Sequence, residues 1–519
     1  MDRAELSEES IHEVGALFEA AVREAVSELS VTDLAGIERR LQAVGRQVLG
    51  QVVERVLAVR AAQEGQERTP CAHCGGAMRR VDQARERRLY GVVGDYTLRR
   101  AYDLCDACHC GQAPLDARIG VGPGALSPAL LRVVCRLGIA ASFEEALDVA
   151  QETLGVSVPT ETVRRATESI GAVAEADQQA DMVAAREGQG LPVTAPSKTG
   201  LLAVAVDGVQ VPHRDGWHEI KVGTLAPLGP AVQVDTETRR AHLAWGQASY
   251  CAGTEEAEVF WWRVYAEACR RGLGTPAVQT VIVLGDGAEW IWQRARHFLG
   301  RKGVEVVEIV DIYHAYEYLW SVGNAVFGTG SARAAGWVEP LKDRLYEQGA
   351  APILAALAAL SPQTEEATEA IRLASGYFTT QAARLDYPRF VARQFPIGSG
   401  AVESTCKTLI AARAKGAGMR WSRPGVQAVA SLRALQRSGR WECFWQTQPQ
   451  RRQPRSRAQP RPRPVAIPQR PKAPQPSAAR RAGPPAETAP ALASGITPRP
   501  RPTPLRHQRP FLPPRTRSA

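Results

Sequence analysis

The chain has 519 residues, 44% apolar and 23% charged, a globular balance with too much chain for one ordinary core, so two to four domains are expected. No apolar run approaches the ~20 residues that span a bilayer, and the opening MDRAELSEES has no apolar core of a signal peptide, so the expected location is cytoplasmic, with no membrane partner. The net charge of +10 is uneven: from Gln446 onward sixteen Lys and Arg face one acid, Glu487, leaving −5 for the rest.

Residues 1–66 read as a helical region, because Ile37, Leu41, Val44, Val48 and Val52 recur at helical spacing between charged residues. The seam suits a dimerising helix or one packed on its own domain. In 67–120, CAHC (Cys71, Cys74) and CDACHC (Cys105, Cys108, Cys110) flank an alternating segment with a hairpin signal at Gly94-Asp95. Tetrahedral zinc takes four thiolates, and a two-residue gap lets both sulfurs of a knuckle face one ion. Cys71, Cys74, Cys105 and Cys108 therefore predict a closed, structural Zn²⁺ ribbon, with His109 and Cys110 as substitute ligands; a redox pair or free thiols are the alternative. In 121–180, SFEEALDVAQETL, a short turn and TETVRRATESIG predict a helix-turn-helix, with Ser142 and Thr160 as caps. Thr160, Thr162, Arg164 and Arg165 would then lie early on a recognition helix facing DNA. An ordinary helical hairpin fits the same pattern. Residues 181–200 read as a linker.

From 201 to 445 the texture changes. LLAVAVDG is a strand ending on Asp207, WHEIKVGTLAPLG and AHLAWGQASYCAG are two more, and TEEAEVFWWRVYAEACRRGLG is a helix capped by Thr254. VQTVIVLGDGA is a fourth strand ending on Asp286, EWIWQRARHFLG a helix, and VEVVEIVDIYH a fifth strand. Three strands followed by alternating helices and strands predict a multidomain α+β chain whose catalytic part is an RNase H-like mixed sheet. In that fold the first and fourth strands are neighbours, which brings Asp207 and Asp286 together. Two carboxylates at a sheet end repel unless a cation sits between them. Mg²⁺, as two ions ~4 Å apart, or Mn²⁺ in its place, suits phosphoryl displacement at such a site. The competing reading of AVAVDGVQV is a hairpin with its turn at Asp207-Gly208. Gly285 and Gly287 would keep the backbone clear for a phosphate, and only one of Trp290 and Trp292 can face the sheet.

A helical insertion is expected over about 315–395. After it, FPIGSGAVESTCKTLIAARAKGAGMRW offers Glu403 in a first helical turn, behind Ser399 as cap. Its bland alternative is a Glu403–Lys407 ion pair. Lys407, Arg413, Lys415 and Arg420 form a basic stripe suited to phosphates or simply to solvent. Residues 446–519 hold nineteen of the 36 prolines and read as a disordered Pro/Arg-rich tail, either an anion-binding arm or a solvated extension.

VDG, LGDGAEWIW, DIYHAYEYL, YPRF, PIGSGAVEST, GMRWS and LRAL together resemble the bacterial insertion-sequence transposases of the ISKra group, related to Mutator-like elements. The resemblance runs from Cys71 to about Trp445 and does not include the tail. It implies a DDE transposase with Asp207, Asp286 and Glu403 as the metal-binding triad. It also implies that Asp311 and His314 match a C/D-x-x-H motif, His314 being an auxiliary catalytic or DNA-strand contact. The expected partners are double-stranded DNA, both terminal inverted repeats and target, bound by a homo-oligomer at the nucleoid. A non-catalytic DNA-binding relative and a metal-dependent, structure-specific nuclease are the alternatives.

Overall fold

The computed structural model describes residues 7–27, 33–63, 69–194, 196–234, 241–301, 303–398 and 400–451. Ser399 and most of the expected tail lie outside them. Two helices open the chain, α1 (Glu8–Ser27) and α2 (Leu34–Gln63), with Ala25, Val44 and Val48 buried between them. β1 (Met78–Gly91) and β2 (Gly94–Cys105) form an antiparallel hairpin, and β3 (Gly111–Gln112) pairs with β2. The hairpin turns on Val92-Val93, with Gly91 facing Gly94, rather than on Gly94-Asp95.

After α3 (Pro114–Arg118) come α4 (Pro128–Ala140), α5 (Phe143–Leu154) and α6 (Thr160–Arg186). Ser142 caps α5 through a reciprocal capping box with Glu145, which satisfies two otherwise orphaned backbone donors. Thr160 is not the cap of α6: Pro159 occupies that position, without a side-chain bond. The helix also runs to Arg186, six residues into the expected linker.

The second sheet begins with β4 (Leu201–His213) and β5 (Gly216–Val234), followed by β6 (Ala241–Trp245) and β7 (Ser249–Gly253). β4 does not end on Asp207. It continues to His213, and the reversal comes at Arg214-Asp215, so the Asp-Gly that turns is Asp215-Gly216. The expected third strand is two, since β6 and β7 each pair separately with β5. α7 (Ala257–Arg270) follows, capped at Glu256 rather than Thr254. β8 (Thr280–Gly285), α8 (Glu289–Leu299) and β9 (Glu305–Val310) complete the sheet. Its order is β6-β5-β4-β8-β9, with β7 paired to β5. β4, β8 and β9 are parallel, while β5 runs antiparallel to β4, β6 and β7. All six residues of β8 are buried, as a strand covered on both faces requires.

A helical segment then intervenes: α9 (Ile312–Phe327), α10 (Ala332–Gln348), α11 (Ala351–Ala358), α12 (Glu365–Thr380) and α13 (Tyr387–Ala392). The chain returns to the sheet through α14 (Gly400–Thr405), a π-helical stretch Cys406–Ala411, and α15 (Ala412–Ala414). α16 (Arg423–Arg437) lies against α6 and β7. α17 (Trp441–Arg451) carries the helix past 446, where the tail was expected to begin. Trp441, Phe444 and Trp445 of α17 share a core with Leu130, Val134 and Val163, so α17 completes the packing of α4–α6. Among the described residues no helix is long and apolar enough to cross a membrane. The molecule is thus a mixed α/β protein with a mixed sheet and a separate cysteine-bearing hairpin.

Candidate metal centre and acidic site

Cys71, Cys74, Cys105 and Cys108 bring their sulfurs within 4.8 Å of one another. Cys71 Sγ lies 3.5 Å from Cys108 Sγ, and Cys74 Sγ lies 3.4 Å from Cys105 Sγ. Zinc–sulfur bonds of about 2.3 Å in a tetrahedron separate sulfurs by about 3.8 Å, so four thiolates here fit such an ion. The two knuckles repeat one backbone pattern. Cys71 N–H donates to Gly76 O (2.9 Å) and Gly75 N–H to Cys71 O (2.8 Å). Cys105 N–H donates to Cys110 O (2.9 Å) and His109 N–H to Cys105 O (3.0 Å). Gly75 and His109, at equivalent positions, both have left-handed φ, +73° and +57°. His109 and Cys110 therefore stand where Gly75 and Gly76 stand in the first knuckle, so they build the turn and are not ligands. Backbone N–H groups of Cys74 and His73 pull the Cys71 thiol down to about 6, and those of Cys108 and Ala107 lower Cys105 against burial. The neighbouring thiols push Cys74 and Cys108 the other way, so without a metal the four sulfurs share protons, and the lowered pair is the one readiest to bind as thiolate.

The acidic site lies on the second sheet. β4 and β8 pair in parallel with Ala205 opposite Leu284, so Asp207, two residues on in β4, and Asp286, one residue past the end of β8, lie at about the same level. Burial raises the pKa of Asp207. The N–H of Gly208 opposes that rise, and the charges of Asp286 and Glu403 add to it. The Gly208 N–H reaches Asp207 Oδ1 at 2.6 Å, and the Cys406 thiol donates to Oδ2 at 3.4 Å. Cys406 opens the π-helical stretch, a register change frequent at functional sites. Its own thiol is pushed far up by burial and by Asp207, so it stays a donor. Sequence reasoning missed Cys406; its place three residues after Glu403 was the available signal. A 2.8 Å bond from Thr224 to Thr405 pins α14 to β5.

Asp286 Oδ1 accepts from Ala288 N–H at 2.9 Å, which starts α8. A Cβ on Gly285 would lie 2.8 Å from Ile291, and Gly287 has a left-handed φ of +105° with a Cβ there 2.9 Å from Tyr377, so packing and backbone conformation already call for glycine at these positions. Ile291 faces the sheet, while Trp290 packs on Phe260 and Trp292 lies under Arg384 of the helical segment. Beyond Gly287 a cleft of about 580 Å³ opens, lined by Trp292, Tyr318, Tyr377 and Arg384. Asp311 caps α9 by accepting from Tyr313 N–H, and its own N–H donates to Gly285 O at 2.8 Å. His314, in the first turn of α9, meets Glu317 at 3.1 Å and stands edge-on to Tyr318 and Tyr377.

Glu403 reaches Asp207 through its charge but bonds Lys407 at 2.6 Å, both side chains about 60% exposed. Among the described residues only the four cysteines gather ligand atoms within 4.8 Å, so the three carboxylates are neighbours and not a closed cluster. Of the expected DNA contacts, Thr160 is exposed and Thr162 half-buried on α6. Arg164 is held by Glu161 (2.6 Å) and Glu168 (2.5 Å), and Arg165 by Glu161 (2.7 Å). Arg413 is not on a phosphate-facing stripe. It is 2% exposed, donates to Gly138 O, and lies against the rings of Phe143 and Trp421. Burial pushes its pKa down to about 10. Lys415 and Arg420 are exposed as expected.

Fold and site define a class: a mixed α/β protein with aspartates at one level of adjacent parallel strands, and a four-cysteine cluster suited to a structural metal such as Zn²⁺. No protein-family model matches the chain, and no curated protein matches it.

Proposed function

We propose that the chain is a metal-dependent DNA transposase of the DDE type, akin to the ISKra group its motifs resemble. The observation that carries this reading is the parallel register of β4 and β8, which sets Asp207 beside Asp286. The strand order, with helical crossovers after β7 and β8, supports an RNase H-like sheet. Asp207, Asp286 and Glu403 would hold Mg²⁺, or Mn²⁺; their oxygens are the hard donors such ions take. The raised pKa of Asp207, driven by burial and by like charge, is the electrostatic strain a cation relieves. When bound, the metal stabilises charge on a phosphodiester under attack. The chain's own residues hold the aspartates in place: Gly208 N–H and Cys406 fix one carboxylate, Ala288 N–H the other. His314, in the turn that Asp311 caps, stands edge-on to Tyr318 and Tyr377, whose hydroxyls feel the charge of Asp286. The zinc hairpin and α4–α6 would bind the element's terminal repeats, in a homo-oligomer at the nucleoid.

In an assay with duplex DNA carrying the element's ends, the wild-type chain should cleave only with Mg²⁺ or Mn²⁺. Asp286→Ala should abolish cleavage and leave DNA binding within about twofold. Undiminished cleavage by that variant sinks the assignment. The Glu403–Lys407 ion pair favours a second reading, a DNA-binding relative without catalysis. DNA binding by the wild type with no metal-dependent cleavage decides for it.

A further inference from the structure

Four of the basic residues the sequence offered for DNA are already engaged. Arg164, Arg165 and Lys407 are ion-paired, and Arg413 is buried. Lys415 and Arg420 have no carboxylate partner among the described residues, and neither has Arg214. Lys415 and Arg420 line one groove, and Arg214 joins the loop beside it through its backbone. The β4–β5 hairpin tip is stitched to the loop before α16: Arg214 N–H donates to Trp421 O at 2.9 Å, and Trp421 N–H to Pro212 O at 3.1 Å. Trp421 Nε1 in turn holds Ala414 O at 3.0 Å. On this braced rim stands Trp217, 63% exposed, the most exposed aromatic among the described residues' large apolar side chains. The Lys415 ammonium lies 5.8 Å from its ring centroid. A shallow groove of about 250 Å³ runs between Trp217 and Arg420. Asp215, the one acid at the tip, meets His218 at 3.1 Å.

An exposed indole flanked by cations that no carboxylate neutralises suits a ligand with a flat apolar face and a negative charge. Unpaired nucleotides supply both, since every base has a π-face and every linkage a phosphate. We propose that Trp217, with Arg214, Lys415 and Arg420, forms a binding rim for single-stranded DNA, Trp217 stacking on a base and the cations holding adjacent phosphates. The rim lies about 20 Å along β4 from Asp207, at ~3.3 Å per residue, within reach of a strand held at the acidic site. It deepens the transposase reading and rests on it for the source of the strand. The braced hairpin means little order must be gained on binding.

The test uses the full chain and a short oligothymidylate carrying one 2-aminopurine, followed by probe fluorescence and by anisotropy. Wild type should quench the probe. Trp217→Ala should lose the quenching and bind roughly tenfold more weakly, while Trp217→Phe keeps most of both. Lys415→Gln and Arg420→Gln should each flatten the salt dependence of binding by about 0.7 in log–log slope. Circular dichroism and thermal unfolding check that the variants fold. Equal affinity and quenching for wild type and Trp217→Ala overturn the rim. If those variants also cleave duplex ends as wild type does, the transposase reading stands without it. A wild type that neither binds nor cleaves DNA removes both. Self-association that Trp217→Ala abolishes, with oligonucleotide affinity unchanged, reassigns the surface to a second copy and likewise overturns the proposal.

Discussion

At the scale of single residues, charge is decided by surroundings that one sequence does not display. Arg413 and Lys415 are two positions apart in a run that reads as one basic stripe, yet the π-helical turn before them sends Arg413 inward against Phe143 and Trp421 and leaves Lys415 in water. Asp207 shows the reverse case, a carboxylate whose folded pKa lies above its unfolded value because burial, Asp286 and Glu403 disfavour its charge. Below the unfolded pKa, near 4, the group is neutral in both states and costs nothing. As pH rises through the folded pKa it must ionise in place, and the cost is complete at neutral pH. Asp207→Asn removes that cost. In metal-free buffer it should raise the melting temperature at pH 7, and the gain should shrink toward zero as pH falls to 4. A gain that is the same at both pH values would show that charge is not the cause.

At the scale of elements, the cysteine hairpin was legible because thiolate chemistry fixes the spacing of its ligands, and two Cys-x-x-Cys pairs leave little freedom. Its turn was not, because the Gly94-Asp95 signal was less decisive than the register that pairs Gly91 with Gly94. Likewise Asp207-Gly208 looked like a turn and is strand, since the pairing continues to His213 and the better-placed Asp215-Gly216 takes the reversal. The equivalence of Gly75 and His109 was invisible in sequence and follows from their shared backbone bonds. It makes a prediction. Gly75→Ala forces a left-handed alanine at a site with no neighbour within 4 Å, so only backbone strain enters, and stability should fall by about 1 kcal/mol with zinc content unchanged. Cys105→Ser removes a ligand instead. Metal analysis should then drop from about one zinc per chain to near none. A wild-type chain that folds its hairpin without zinc contradicts the assignment.

At the scale of the whole molecule, the elements of the second sheet were readable one by one, whereas the way the helical regions join it was not. The sequence reading set α4–α6 apart from the sheet by a linker, but α6 runs six residues into it and lies against α16, which itself covers β7. Gly171 of α6 approaches Ala428 so closely that a Cβ would lie 2.3 Å from its carbonyl oxygen. Such contacts join residues some 250 positions apart, and no local pattern reports them. The clearest is a buried ionic junction. Arg263 of α7, 4% exposed, bonds Glu175 of α6 at 2.7 Å and Glu255 at 2.8 Å. Glu175 also accepts from Ser431 at 2.6 Å and Gln427 at 3.0 Å, both on α16. Burial works against the Glu175 carboxylate, but Arg263 and Ser431 outweigh it and hold its pKa below the usual range. Removing one partner of such a set strands the others in a dry interior, at a cost of about 3–5 kcal/mol. Arg263→Met should therefore lower unfolding stability by that amount in chemical denaturation. Pairing it with Glu175→Gln should recover part of the loss, because one stranded charge is gone. If the helices and the sheet are coupled through this junction, the loss must appear equally in a probe on α6 and in one on β8. A loss confined to α6, or one below about 1 kcal/mol, would mean that the junction only decorates an interface held by the apolar contacts of α16.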